Sequence, residues 1–133
     1  MRLYRVGLFT DVYFPNPNGV TTSVYLLLRE LRRMGHEAWV IAPAHPEAPE
    51  NEEGVARVPS VAYPFYEGQQ IALPSARHLP TEFELVHTHT PLTLGVWGLR
   101  IARNKNLPHV STFHTHYEKY AHYVPGLAFL DKY

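Results

Sequence analysis

The chain has no cysteine, so disulfides and thiolate metal sites are excluded. It has no net charge either: twelve Lys and Arg balance twelve Asp and Glu. Without a global field there is no basic footprint for nucleic acid or for an anionic membrane. Long apolar runs are lacking, which argues against a spanning helix. The opening MRLYRVGLF has too short an apolar stretch for a signal peptide, and a cytoplasmic location is the expectation. Both common nucleotide fingerprints, G-x-G-x-x-G and G-x-x-x-x-G-K-[ST], are absent. The second apolar run ends on Pro43, where a dinucleotide fold places an acid for the ribose. An ordinary dehydrogenase or NTPase is disfavoured.

What is present is the makings of a core. Hydrophobic residues are 45% of 133, enough for one folded domain and too many for a disordered chain. RVGLF (Arg5–Phe9) reads as a buried strand. A loop stiffened by Pro15 and Pro17 runs to Gly19. Val20, Val24, Leu27, Leu28, Leu31 and Met34 then recur at steps of three and four, the stripe of an amphipathic helix. Arg29, Glu30, Arg32 and Arg33 take the other face, and Gly35 supplies a stop. EAWVIAP (Glu37–Pro43) is a second strand, so the unit is βαβ with parallel strands. A short strand is predicted at Gly54–Val58. The Pro- and aromatic-rich stretch 59–80 gives no regular pattern. FELVHTH (Phe83–His89), the helix in PLTLGVWGLRIARNKN with Leu94, Trp97 and Ile101 inward, and LPHVSTFH (Leu107–His114) make a second strand–helix–strand unit. Such alternation predicts an α/β, Rossmann-like open parallel sheet covered on both faces.

Ligands of these sheets bind beyond the carboxyl ends of the strands, and the notable residues collect there. Asp11 and Asn18-Gly19 follow the first strand. VHTHT (Val86–Thr90) and FHTHY (Phe113–Tyr117) place two His-Thr-His triplets 27 residues apart at two later strand ends. The amides of Gly19, Val20 and their neighbours open a helix without intrahelical acceptors, which suits a phosphate or diphosphate. A plain Asn-Gly turn accounts for the same residues. On a strand, residues i and i+2 point the same way, and each triplet then admits three readings. The imidazoles could ligate zinc or iron, act on or hydrogen-bond a polar substrate near neutral pH, or simply bond a carbonyl. LVHTHT also resembles the strand-end motif of metal-dependent amidohydrolases and polymerase-and-histidinol-type phosphoesterases. There it usually ends the first strand of a barrel, often after an acid; here it comes two thirds along, after Val86.

Taken in order, FTDVYFPNPNGVTTSVYLLLRELRRMGHEAWVIAP and FELVHTHTPLTLGVWGLRIARNKNLPHVSTFHTHYEKYAHYVPG resemble the N-terminal domain of family 4 glycosyltransferases. These are retaining, metal-independent enzymes of the GT-B fold. The branch most resembled contains diacylglycerol glucosyltransferases and phosphatidylinositol mannosyltransferases. The resemblance implies that residues 1–133 are an acceptor-side domain, incomplete at its C-terminus, without the donor-binding domain and its E-x7-E stretch. It implies no cofactor, a nucleotide-sugar donor of the UDP-glucose or GDP-mannose type, and a lipid or other hydroxyl acceptor. A peripheral position on the inner face of the cell membrane would follow, and the piece alone would not turn over. By the same resemblance His114 is the active-site histidine. Asn18, Gly19 and Val20 meet the donor diphosphate, although many members carry Gly-Gly where this chain has Asn18-Gly19. His89, Thr90, His116 and Tyr117 line the substrate cleft, and Asp11 either orients the glycine loop or touches acceptor. The aromatic, mildly basic end, with Tyr120, Tyr123, Phe129 and Tyr133, suits a membrane interface or packing within the protein. A metal-dependent hydrolase and a non-catalytic binding module are the alternatives.

Overall fold

The computed structural model describes residues 2–65, 69–112 and 114. The first strand, β1, is Arg5–Phe9, and helix α1, Gly19–Arg33, follows it. Then come β2, Glu37–Pro43, and β3, Val55–Val58. Two short strands, β4 (Ser60–Ala62) and β5 (Gln70–Ala72), pair antiparallel with each other. A single 3-10 turn spans Ala76–His78. The chain re-enters the main sheet as β6, Leu85–Thr88, crosses as helix α2, Thr93–Lys105, and returns as β7, His109–Ser111. The main sheet has the order β3-β2-β1-β6-β7, and its four pairings are all parallel. The α/β expectation is met.

Period-two alternation explains why both faces are covered. Val6 and Leu8 of β1, with Ala38, Val40 and Ala42 of β2, face α1 through Val24 and Leu28. The intervening Phe9 and Ile41, with Val86 of β6, face α2 through Leu94, Trp97, Ile101 and Ala102. Leu8, Phe9, Val40, Ile41, Val86 and Leu94 are fully buried. Each contributes on the order of 1.5–3 kcal/mol of transfer free energy. Contact between α2 and the sheet is close at Gly98, where an added Cβ would lie 2.9 Å from Phe9 Cγ and 3.0 Å from Thr88 Cγ2.

The helix ends follow their residues. Gly35, at φ +98°, lets the amides of Gly35 and His36 reach back to the carbonyls of Arg32 and Leu31, a Schellman closure. Asn106 in the left-handed region does the same for α2, whose Ala102 carbonyl accepts from Leu107. Several sequence expectations are corrected in detail. Met34 is exposed because it forms the cap of α1 rather than the next step of its stripe. Arg32, placed on the solvent face, lies over the Trp39 ring and donates to the Ala38 carbonyl. The predicted strands at 54–58, 83–89 and 107–114 each contract to the part that pairs in the ladder. His89 and His114 thus stand just past strand ends. The segment LAFLDKY and the aromatic end lie outside the described residues.

Candidate functional site

The connection from β1 runs toward β2, while that from β6 runs the other way toward β7. The two diverge between the carboxyl ends of β1 and β6, which are neighbours. This is the topological switch point, where an open α/β sheet leaves a crevice. Two sets of residues collect around it, and another opens the helix that follows β1.

The first set opens α1. Asn18 is its N-cap, with extended backbone, and its Oδ1 accepts from the Thr21 amide at 3.0 Å. The Asn18 carbonyl accepts from the Thr22 amide and hydroxyl. The amides of Gly19 and Val20 fall in the first turn and have no intrahelical acceptor; no hydrogen bond to either is present among the described residues. Gly19 is exposed, and a Cβ added there would meet nothing within 4 Å. The helix therefore starts exposed at Gly19, with the positive end of its dipole at two amides that lack intrahelical acceptors.

The second set is a buried brace across the switch point. Asp11, just past β1, is 3% exposed. Its amide donates to Thr90 Oγ1 at 2.9 Å, and Thr90 Oγ1 donates back to Asp11 Oδ2 at 2.7 Å. Oδ1 accepts from the Leu94 amide at 2.9 Å, and Oδ2 accepts a longer bond from Gly95 at 3.4 Å. These are amides of the first turn of α2, whose own N-cap position holds Leu92 and makes no side-chain cap bond. A carboxylate from the β1 loop thus supplies the cap that the local sequence of α2 lacks. Burial outweighs these hydrogen bonds and pushes the Asp11 carboxyl up to about 6. The Asp11 carbonyl accepts from Gln69 Nε2 at 2.8 Å, which ties the β4–β5 hairpin to the same point.

The third set is a row of imidazoles. His87 and His89 stack with ring centres 4.1 Å apart and planes at 30°. His89 Nδ1 and His114 Nε2 lie 3.2 Å apart. His87 Nε2 is 2.7 Å from Thr112 Oγ1. His89 is 2% exposed, while His87 and His114 are half-buried. Desolvation is the first cause in every case: it holds His87 and His114 below the ordinary imidazole range, and with His87 and His114 beside it takes His89 down to about 3. The row is neutral at physiological pH. On the opposite face of β6, Thr88 Oγ1 meets His109 Nε2 at 2.9 Å and Ser111 Oγ at 2.8 Å, which pins β7 to β6.

Among the sequence-predicted site residues, Asp11, His89, Thr90 and His114 come together at the ends of β1, β6 and β7. Asn18, Gly19 and Val20 stand on the helix that follows β1. Asp11, His89 and Thr90 are buried among the described residues. His116 and Tyr117 lie outside the described residues. No three His, Asp or Glu side chains among the described residues are grouped to hold a metal ion. Nitrogens of the three imidazoles turn to Thr112 and to each other, and Asp11 turns to α2. Gln69, Thr112 and His109 were missed by sequence reasoning. Gln69 falls in the unpatterned stretch, and the other two act through partners across the sheet that no local motif announces.

The parallel sheet, with helices on both faces and its switch point at the carboxyl ends of β1 and β6, defines an α/β, Rossmann-like protein. The model of Glycosyltransferase Family 4 matches residues 17–132, and the chain belongs to that family. It is 35% identical over 126 residues to an alpha-monoglucosyldiacylglycerol synthase of Streptococcus pneumoniae, covering 90% of this chain and 29% of that protein. It is 36% identical over 121 residues to a GDP-mannose-dependent alpha-mannosyltransferase of Mycolicibacterium smegmatis, covering 84% and 32%. A phosphatidyl-myo-inositol mannosyltransferase of Mycobacterium leprae is 30% identical over 122 residues, at 84% and 32%. The chain therefore spans about a third of the length of the curated relatives it matches.

Proposed function

We propose that the chain is the acceptor-side domain of a retaining glycosyltransferase that moves a hexosyl group from a nucleotide-sugar donor to a lipid or other hydroxyl acceptor. What supports this reading is a row of imidazoles at the carboxyl ends of β6 and β7, on a sheet whose first helix begins exposed with amides that lack intrahelical acceptors. The relatives' names supply the chemistry: one is a glucosyldiacylglycerol synthase, one depends on GDP-mannose, and one is named for phosphatidyl-myo-inositol.

The amides of Gly19 and Val20, with the dipole of α1 behind them, would hold the donor diphosphate and stabilise the charge that develops as it leaves. Asn18 occupies its Oδ1 on the helix and has its amide NH2 for the ligand. His114 is the residue that would meet the sugar. A neutral imidazole supplies directional hydrogen bonding to hydroxyls without a fixed charge. Asp11 and Thr90 hold the ends of β1 and β6 and the start of α2 in register behind it. On this reading no metal or other cofactor is needed, because helix amides and basic residues of a second domain neutralise the leaving group. That second domain, with the nucleotide-reading residues, completes the site. The lipid acceptor places the intact enzyme at the inner membrane surface as a peripheral protein. No helix among the described residues is long and apolar enough to cross a membrane.

The test is sugar transfer by the intact protein, with UDP-glucose and GDP-mannose each offered to diacylglycerol and phosphatidylinositol in vesicles, with and without a metal chelator. Chelator-resistant transfer of one hexose with retained anomeric configuration is expected. Loss of all transfer with chelator would contradict the metal-independent reading, and metal-dependent hydrolysis of phosphoesters in place of transfer would favour the hydrolase instead.

A further inference from the structure

The His89–His114 pair fixes more than a distance. Their ring centres are 5.4 Å apart with planes at 27°. That separation is close to the 3.2 Å between Nδ1 and Nε2 plus one centre-to-nitrogen radius of each ring. The rings therefore meet edge to edge and nearly coplanar, which is the geometry an in-plane N–H···N bond requires. Two neutral imidazoles share this bond through a single proton, so one ring donates and the other accepts. The other nitrogen of His89, Nε2, decides which. It is buried and has no hydrogen-bond partner. If His114 donated, His89 would have to carry its own proton on Nε2, as an orphaned buried N–H, the rarer and more costly kind of unsatisfied group. If His89 donates from Nδ1, Nε2 is left as a buried lone pair with no donor, the less costly kind of unsatisfied group. Protonating both nitrogens of His89 would place a charge where only 2% of the residue is exposed, and among the described residues no carboxylate bonds that ring to offset it.

We propose that His89 is a positioning residue that sets the tautomer of His114: it donates from Nδ1 to Nε2 of His114, so that neutral His114 carries its proton on Nδ1 and offers that N–H to the ligand. The half-buried His114 then recognises an acceptor oxygen, of a sugar hydroxyl or of a phosphate, and does not serve as a proton-accepting base toward it. This deepens the function proposed above and rests on it only for the identity of the ligand; the tautomer itself stands on geometry alone. The stack on His87, at 4.1 Å, keeps the His89 ring from turning over and reversing the bond.

Two-bond proton–nitrogen correlation spectra of the uniformly labelled chain test it directly. They report which nitrogen of each neutral imidazole bears the proton, and a His89→Phe and a His114→Phe variant assign the two patterns. Both rings are expected as Nδ1–H tautomers near neutral pH. In His89→Phe, His114 should relax to a mixture of tautomers, and in His89→Asn, whose amide nitrogen falls where Nδ1 was, the Nδ1–H form of His114 should return. A His114 found with its proton on Nε2 in the unaltered chain overturns the proposal, even if both variants fail to fold. Failure of sugar transfer with the tautomers as stated would count against the proposed function and leave this inference standing.

Discussion

Replacing Asp11 by Asn probes the brace across the switch point through its dependence on pH. The side chain is buried, and burial raises its carboxyl from 3.8 to about 6. A raised folded pKa means that the native state holds this proton more tightly than the unfolded chain does. The stabilisation is complete below the unfolded value and is lost as pH climbs through the folded one. A shift of about two units at about 1.4 kcal/mol each amounts to about 3 kcal/mol of native stability lost between about pH 4 and about pH 7. Asn cannot ionise, and it keeps an oxygen for the Leu94 amide and an NH2 for the Thr90 hydroxyl. It forfeits the longer bond to Gly95 and the attraction of a charge for the helix start. Urea unfolding of both proteins over that range gives the difference, in which every other titrating group shared by the two cancels. At a urea m-value of about 1–3 kcal/mol/M, the midpoint of the Asn variant should gain roughly 1–3 M on the wild type as pH rises. A difference that stays flat, or one in which Asp gains on Asn with rising pH, would refute the claim that desolvation outweighs the cap bonds.

Gly19→Ala should leave the fold intact and even stabilise it by about 0.4–1 kcal/mol, because φ there is not positive and the new methyl meets nothing. Sugar transfer by the intact protein should nonetheless fall, since the methyl occupies the space in front of the amides; a higher melting temperature with unchanged KM for the donor would contradict the anion site. Gly98→Ala should lose about 1–2 kcal/mol in denaturant unfolding, the overpacking against Phe9 and Thr88 exceeding the helix-propensity gain. His89, neutral in the fold down to about 3, makes stability that is present above the ordinary imidazole pKa of 6.5 and lost as pH falls below it. His89→Phe should therefore flatten the acid arm of the stability curve, and an unchanged arm would speak against the burial.

The sheet was legible because its strands are buried on both faces and read as unbroken apolar runs. The two helices were legible from their three-to-four spacing and from Gly35. Residues 59–80 were not, because β4 and β5 are three residues each, too short for any period to register. Asp11 was visible as an acid at a strand end, yet its task was not, since the helix it caps begins over eighty residues later. The His triplets were legible as a pair of features, and a metal site was a fair reading of them from period two alone. Only the tertiary register reveals that one ring stacks and another bonds edge to edge, leaving no convergent set of nitrogens among the described residues.

The central claim is that the start of α1 and His114 serve one phosphorylated sugar. A crystal structure of the intact protein with its nucleotide sugar, or with the nucleoside diphosphate and an unreactive sugar analogue, decides it. The account predicts diphosphate oxygens within hydrogen-bond distance of the Gly19 and Val20 amides and the sugar within reach of His114 Nδ1. Diphosphate density held away from α1, or an α1 start covered by packed side chains, would contradict it.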